Sequence, residues 1–76
     1  METITSALKE VLDEQSLSKA VRTKLEDIIA LLEGPGEIRL KASKALAELE
    51  ELSDGSDIPS YIRTQLWNVA SMLEAQ

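Results

Sequence analysis

The sequence predicts an all-α fold, an antiparallel up-and-down four-helix bundle built from two tandem αα-hairpins. Three observations support this prediction. Apolar residues recur at helical spacing in four segments, capping and turn residues separate those segments, and the second half of the chain repeats the first at a shift of 41 positions. Strand-like alternation is absent from the sequence. We predict a single domain over residues 1–76, with one hairpin at 1–35 and the other at 36–76.

The internal repeat is clearest in the second helix of each hairpin. Residues 20–25 (Ala-Val-Arg-Thr-Lys-Leu) align with residues 61–66 (Tyr-Ile-Arg-Thr-Gln-Leu). A single αα-hairpin cannot bury both of its apolar stripes, so a second copy that covers the exposed face is expected. The alternative arrangement, an open solenoid fragment, would leave broad apolar faces in water.

The first hairpin contains two apolar stripes at helical spacing. They are Ile4, Leu8, Val11 and Leu12 in the first helix, and Leu17, Val21, Leu25, Ile28 and Leu32 in the second. Ser16 is positioned to cap the second helix, because a hydroxyl can accept a hydrogen bond from the first free N–H groups. Gly34-Pro35-Gly36 is expected to end that helix.

The second hairpin shows the same pattern. Its stripes are Ile38, Ala42, Ala45, Leu49 and Leu52 in the third helix, and Ile58, Ile62, Leu66, Val69 and Leu73 in the fourth. Asp57 is the repeat equivalent of Ser16 and is expected to cap the fourth helix. Pro59 is expected in the first turn of that helix, where its missing N–H has no cost.

The composition excludes most catalytic chemistry. The chain has no Cys and no His, so sulfur-based zinc sites, thiolate nucleophiles and the usual general base are absent. Catalytic carboxylates need burial or a like-charged neighbour, and carboxylates such as Glu10, Asp13 and Glu14 are frequent here but fall on polar stripes or in turns. We therefore expect a protein that is not an enzyme and that needs no cofactor and no metal.

The charge balance indicates which partners are compatible with the chain. Fourteen acidic and eight basic residues give a net charge of −6, which repels phosphate backbones and anionic membranes. Direct nucleic-acid binding is thus not expected on electrostatic grounds, and no apolar run approaches the roughly 18 residues that span a bilayer. Because the N-terminus lacks a basic segment followed by an apolar run, a soluble, cytoplasmic protein is expected.

Residues 39–74, above all residues 57–67 (Asp-Ile-Pro-Ser-Tyr-Ile-Arg-Thr-Gln-Leu-Trp), closely resemble the UPF0147 family, an archaeal uncharacterised family of short, all-helical proteins. Pro59, Arg63-Thr64 and Trp67 are the most characteristic residues of this match. The first half fits more loosely, since Ser18 stands where the family usually has a proline. The resemblance implies a bundle of bromodomain-like topology and an archaeal source, and it implies no function. Acetyl-lysine binding does not follow from such a fold, because function depends on the site.

One face of the fourth helix is a candidate binding surface. At 100° per residue, Trp67 points away from the apolar stripe, on the side shared by Arg63, Ser60, Thr64 and Ser71. The repeat equivalent of Trp67 is Glu26, so an indole replaces a carboxylate at a position expected to face water. Arg63 precedes Trp67 by one turn and could lie over the indole.

Two alternative interpretations concern this face. Trp67 could instead lie in a groove against a neighbouring helix and add buried area to a small bundle. Arg22 and Arg63, which occupy equivalent positions in the repeat, could simply pair with acidic residues across the bundle.

A second candidate surface is an acidic stretch that runs from the end of the third helix into the next turn. It comprises Glu48, Glu50, Glu51, Asp54 and Asp57. Carboxylates at a helix C-terminus oppose the helix dipole, and a basic partner could offset that cost. The alternative is a solvated face that only promotes solubility.

These features lead to one functional hypothesis and two alternatives. The hypothesis is a small protein–protein interaction module or complex subunit that binds another protein through the Trp67/Arg63 face, with the acidic stretch favouring a basic partner. The first alternative is a self-associating homodimer in which Trp67 is joined by Leu31, Leu40 and Met72. The second is an accessory factor that binds the basic proteins of a ribonucleoprotein complex.

Overall fold

Four helices make up the fold in the computed structural model, which describes residues 2–55 and 58–76. They are α1 (Glu2–Leu12), α2 (Lys19–Glu33), α3 (Ile38–Gly55) and α4 (Ser60–Glu74). Those residues include no β-strand. The predicted all-α fold with four helices is therefore confirmed.

The helices pack in a ring, in which α1 and α3 each contact both α2 and α4. Lys24 of α2 pairs with Glu48 of α3, whereas Lys41 of α3 reaches the carbonyl of Leu32 in α2, so these two helices run in opposite directions. Tyr61 at the start of α4 hydrogen-bonds to Glu14, just beyond the end of α1. Arg22 near the start of α2 reaches the carbonyl of Leu12 at the end of α1, so α1 and α2 also run in opposite directions, and the predicted up-and-down order is present.

The core is aliphatic and lies between the four helices. It consists of Ile4, Leu8, Val11, Leu17, Val21, Leu25, Ile28, Ile29, Leu32, Ala42, Ala45, Leu49, Leu52, Ile58, Ile62, Leu66, Val69 and Leu73. The predicted stripes account for all of these except Ile29. Leu12 is only partly buried, against the edge of the core. Within the residues that the structure describes, no helix combines the length and apolarity needed to cross a membrane.

Ile38 is the clearest exception among the predicted core residues. Its side chain is 44% exposed, although it lies in phase with the buried stripe of α3. Ile38 is the first residue of α3, directly after the Gly34-Pro35-Gly36 segment, so no earlier turn of that helix extends the core around it. Gly36 has a φ of 120°, a conformation that side-chain-bearing residues rarely adopt. The turn thus begins α3 at the edge of the bundle.

The predicted cap at Ser16 is wrong, because the N-cap of α2 is Ser18. The Ser18 hydroxyl accepts a hydrogen bond from the Val21 N–H at 3.2 Å. Burial of Leu17 fixes the chain just before Ser18, so the helix begins two residues later than predicted. Ser16 lies in the preceding turn, with its Oγ 3.3 Å from the Tyr61 hydroxyl.

The start of α4 also differs from the prediction. Pro59 is the N-cap and precedes the first helical residue, Ser60, because its ψ of 148° is extended. The Pro59 carbonyl accepts hydrogen bonds from the N–H groups of Ile62 and Arg63 at 3.1 and 3.0 Å. The predicted cap Asp57 lies outside the described residues.

Basic side chains hydrogen-bond to carbonyl groups at the ends of α1 and α2. Arg22 donates from its guanidinium to the carbonyls of Leu12 and Glu14, at 2.6 and 2.9 Å. Lys41 donates to the carbonyl of Gly34 at 2.8 Å, and to that of Leu32. Helix C-termini have free carbonyls and partial negative charge, which such cations neutralise. Arg22 thus binds backbone oxygens, and the alternative interpretation in which it pairs with acidic side chains is not seen among the described residues.

Candidate functional site

Trp67 borders a surface groove between α3 and α4, called here the Trp67 groove. Its apolar base is formed by Leu46, Leu49, Leu66 and Ala70, and its polar edges by Glu50, Ser53, Asp54, Ser71 and Glu74. The Trp67 side chain is 59% exposed, so most of the indole faces outward and is not buried against a neighbouring helix. The groove therefore joins an exposed aromatic side chain to a partly covered strip of the core.

The structure places the other predicted residues of this face in two groups. Ser71 lines the Trp67 groove one turn after Trp67. Ser60 and Thr64 are exposed on the same helix outside the groove, and the Thr64 hydroxyl donates to the Ser60 carbonyl at 3.1 Å. Arg63 is half-buried, and its Nε is buried without a hydrogen-bond partner among the described residues. The groove thus includes Trp67 and Ser71 and leaves the other three residues outside.

The predicted acidic stretch is divided between two sides of α3. Glu50 and Asp54, one helical turn apart, line the Trp67 groove. Glu48 faces α2, where its carboxylate lies 3.1 Å from the Lys24 ammonium, and Glu51 acts on the same lysine through its charge. This division follows from the helical period, which places residues two apart on opposite sides. Asp57 lies outside the described residues.

The Trp67 groove has a net negative charge, and within the described residues no ion pair neutralises it. It is lined by three carboxylates, those of Glu50, Asp54 and Glu74, and by no Lys or Arg. None of the three takes part in an ion pair within residues 2–55 and 58–76. Glu74 was not among the predicted site residues, although it lines the groove on the α4 side.

The groove between α2 and α3 is electrostatically different. Lys44, Asp27 and Glu48 line it together with apolar side chains, and Glu48 pairs with Lys24 beside it. Opposite charges therefore balance there. An exposed large aromatic next to uncompensated acids distinguishes the Trp67 groove from this one.

The ion pair between Lys24 and Glu48 makes a testable contribution to stability. Hydrogen bonding to the Glu48 carboxylate, followed by the charge of Glu48, raises the pKa of Lys24 above its ordinary value of 10.5. Because the pKa of Lys24 is higher in the folded than in the unfolded protein, its ion pair stabilises the fold at pH values below the pKa of the unfolded state. This stabilisation is lost as the pH rises through the pKa of the folded state. We expect Glu48→Gln to lower the melting temperature slightly at neutral pH, and the difference from wild type to shrink only above pH 10.5. Thermal melts from neutral to alkaline pH test this; a difference that vanishes between about pH 7 and 9 would contradict the assignment.

The Trp67 groove is suited to binding, because a ligand can bury its apolar base and can be attracted by its carboxylates. In the described part of the chain, no three acidic side chains come together as a metal-binding group. An apolar base with polar edges is the usual composition of a protein-binding patch, and tryptophan is enriched at the centre of such patches.

Comparison with known proteins places the chain in a family. The model of the Uncharacterised protein family (UPF0147) matches residues 1–75. A UPF0147 protein from Archaeoglobus fulgidus is 28% identical over 74 residues, covering 97% of this chain and 85% of the relative. One from Metallosphaera sedula is 34% identical over 68 residues, covering 88% and 76%.

No solved structure shows a significant match, so the bromodomain-like topology implied by the resemblance stays a prediction. The match to the family model covers nearly the whole chain, including both halves of the internal repeat. The resemblance first noted around Pro59 and Trp67 is therefore confirmed, and the chain belongs to the UPF0147 family of uncharacterised proteins, whose similar members include archaeal ones.

Proposed function

We propose that this protein is a protein–protein interaction module or complex subunit, and that its binding site is the Trp67 groove. The observation that supports the proposal is the exposure of Trp67 beside an apolar groove with three unpaired carboxylates. Tryptophan has a large apolar surface, and leaving most of it in water forgoes stabilisation that a partner can supply. The proposed activity is binding, with no catalytic step and no cofactor.

The proposed partner is a basic segment of another cytoplasmic protein. Lysine or arginine side chains on that segment would meet Glu50 and Asp54 on one side of the groove and Glu74 on the other. The net charge of −6 opposes binding of nucleic acid or of an anionic membrane at the same place. Basic proteins of a ribonucleoprotein complex have the chemistry that this proposal requires.

Self-association through the Trp67 groove has less support. A two-fold interface would place the same carboxylates of two copies against each other, and like charges in a buried interface are costly. Of the additional apolar positions considered for a dimer, Leu31 and Met72 pack against the core, and only Leu40 is largely exposed. These placements favour a partner of opposite charge.

Affinity capture from nuclease-treated lysate of the native host tests the proposal. We expect a partner to be retained by wild type and to be lost with Trp67→Ala, because truncation of an anchoring aromatic weakens binding by about thirtyfold or more. Leu40→Ala is the matched control, because it removes an equally exposed apolar side chain, 63% exposed, outside the groove. Circular dichroism checks that both variants are folded.

Two results would overturn the proposal. In the first, Trp67→Ala retains every partner that wild type retains. In the second, sedimentation shows that the only species bound through Trp67 is another copy of this chain. Removing nucleic acid before capture ensures that a retained partner is bound by protein contacts.

A further inference from the structure

We infer that the occupant of the Trp67 groove is a basic amphipathic helix, with Lys or Arg two helical turns apart on either side of apolar residues. This inference rests on the proposed function and specifies the chemistry of the partner. It follows from three properties of the groove: the placement of its carboxylates, its apolar base, and the absence of free backbone groups along its helical walls.

Asp54 and Glu74 lie towards opposite ends of the groove, and Glu50 lies midway along its α3 side. On α3, the lining runs from Leu46 to Asp54, a separation of eight positions that spans about 12 Å at 1.5 Å per residue. On α4, it runs from Leu66 to Glu74, also a separation of eight positions. Because α3 and α4 are antiparallel neighbours, Glu74 lies near Leu46, and both border the same surface depression at that end of the bundle. Asp54 and Glu74 are therefore separated by about two helical turns along the bundle axis.

A helical ligand reproduces this spacing. Residues i and i+7 lie on the same face of a helix and about 10.5 Å apart along its axis. Basic side chains at those positions can extend to Asp54 at one end and to Glu74 at the other, since lysine and arginine are long and flexible. Glu50 lies between these ends and adds to the negative charge of the groove. The two charges of the ligand thus match the two acidic ends of the groove.

The apolar base of the groove determines which residue type the middle of the ligand must carry. Leu46 and Ala70 are half-buried there, beside Leu49 and Leu66 from the core. Apolar residues of the ligand at i+3 and i+4 would face this base, as in other complexes where an amphipathic helix lies in a groove. Trp67 would cover one side of those residues.

A helix suits this groove better than an extended strand. The walls are helices, whose backbone N–H and C=O groups in their interior are already bonded to each other. An extended segment would find no backbone partners there, and its own N–H and C=O groups would lose water without compensation. A helical segment satisfies its backbone internally and presents only side chains.

Peptide titrations test the inference, with Trp67 as the reporter because it is the only tryptophan in the chain. Three tryptophan-free peptides of about 18 residues, long enough to form a helix, would be compared. The first has Lys at i and i+7 and Leu at i+3 and i+4 in an alanine-rich background. The second is a scrambled sequence of the same composition. The third has a central proline that prevents the helix.

The patterned peptide is expected to shift the Trp67 emission and to bind at least about tenfold more tightly than the other two. Equal binding of the scrambled peptide would overturn the spacing argument. Equal binding of the proline peptide would overturn the helical argument. No binding by any of the three would overturn the inference as a whole.

A charge-matched pair of variants tests the role of the carboxylates. The groove variant combines Glu50→Gln, Asp54→Asn and Glu74→Gln. The control variant combines Glu10→Gln, Asp13→Asn and Glu26→Gln, which removes the same three charges from exposed positions outside the groove. We expect the groove variant to bind the patterned peptide about tenfold or more weakly than wild type does. The control variant is expected to bind it less than about threefold more weakly. Equal weakening by both variants would show that only net charge matters and would overturn the inference.

Failure of this inference can be distinguished from failure of the proposed function. If Trp67→Ala abolishes capture of a native partner while the patterned peptide binds no better than its scrambled form, the interaction module stands and the basic helix is wrong. If Trp67→Ala keeps all partners, the proposed function itself is wrong.

Discussion

Replacing Leu25 by alanine is expected to lower the free energy of unfolding by about 2–5 kcal/mol. Leu25 is completely buried at the centre of α2 and belongs to the single aliphatic core. Truncation removes its transfer free energy and leaves a cavity between helices that cannot fully collapse. A domain of 76 residues has a total stability of about 4–11 kcal/mol, so this one substitution removes a large share of it.

Urea denaturation followed by circular dichroism measures the effect, and Leu40→Ala is the matched control. Leu40 is 63% exposed on the outer face of α3, so its truncation is expected to change stability by less than about 0.5 kcal/mol. If the two leucine variants lost equal stability, the division into a buried stripe and an exposed face would be contradicted.

Replacing Arg22 by methionine is expected to cost about 1.5–3 kcal/mol, although this side chain is only half-buried. The guanidinium donates two short hydrogen bonds to carbonyls at the end of α1, and it neutralises the negative end of that helix dipole. Methionine keeps much of the apolar stem and removes both hydrogen bonds. Lysine keeps the charge but not the fork geometry, so Arg22→Lys should recover part of the loss.

The same urea experiment measures this loss, with Arg39→Met as its control. Arg39 is exposed near the start of α3, and no hydrogen bond joins its side chain to the described residues. We expect its substitution to change stability by less than about 0.5 kcal/mol. Equal effects of the two arginine variants would indicate that only the overall charge matters.

The four helices and most of the core could be predicted from the sequence, because burial of one face imposes the helical period directly. Helix starts were harder to predict. Both Ser16 and Ser18 can act as caps on sequence grounds, and the burial of Leu17 decides between them. Ile38 lies on the same helix face as the buried residues of α3, but it is at the end of the bundle, where no neighbouring turn covers its side chain.

The candidate site could be predicted only in part. The helical period correctly indicates that Trp67 faces outward. It does not indicate which α3 residues lie across from it, since that depends on how two helices pair in space. One signal was available: in an antiparallel hairpin, positions equidistant from the turn face each other, which places Glu50 near Leu66 and Trp67. That argument does not exclude Glu48, which is as far from the turn as Trp67, and it places Glu74 level with Lys41, so the roles of Glu48 and Glu74 depend on how the helix faces pair in space.

Site-specific photo-crosslinking is the most direct test of whether the Trp67 groove binds a basic helix of another protein. A photoreactive phenylalanine analogue would replace Trp67 in one sample and Leu40 in another, each exposed to lysate of the native host. We predict that position 67 crosslinks to a different protein, within a Lys- or Arg-rich helical segment, and that position 40 does not. Crosslinks from position 67 only to a second copy of this chain, or identical products from both positions, would contradict the account.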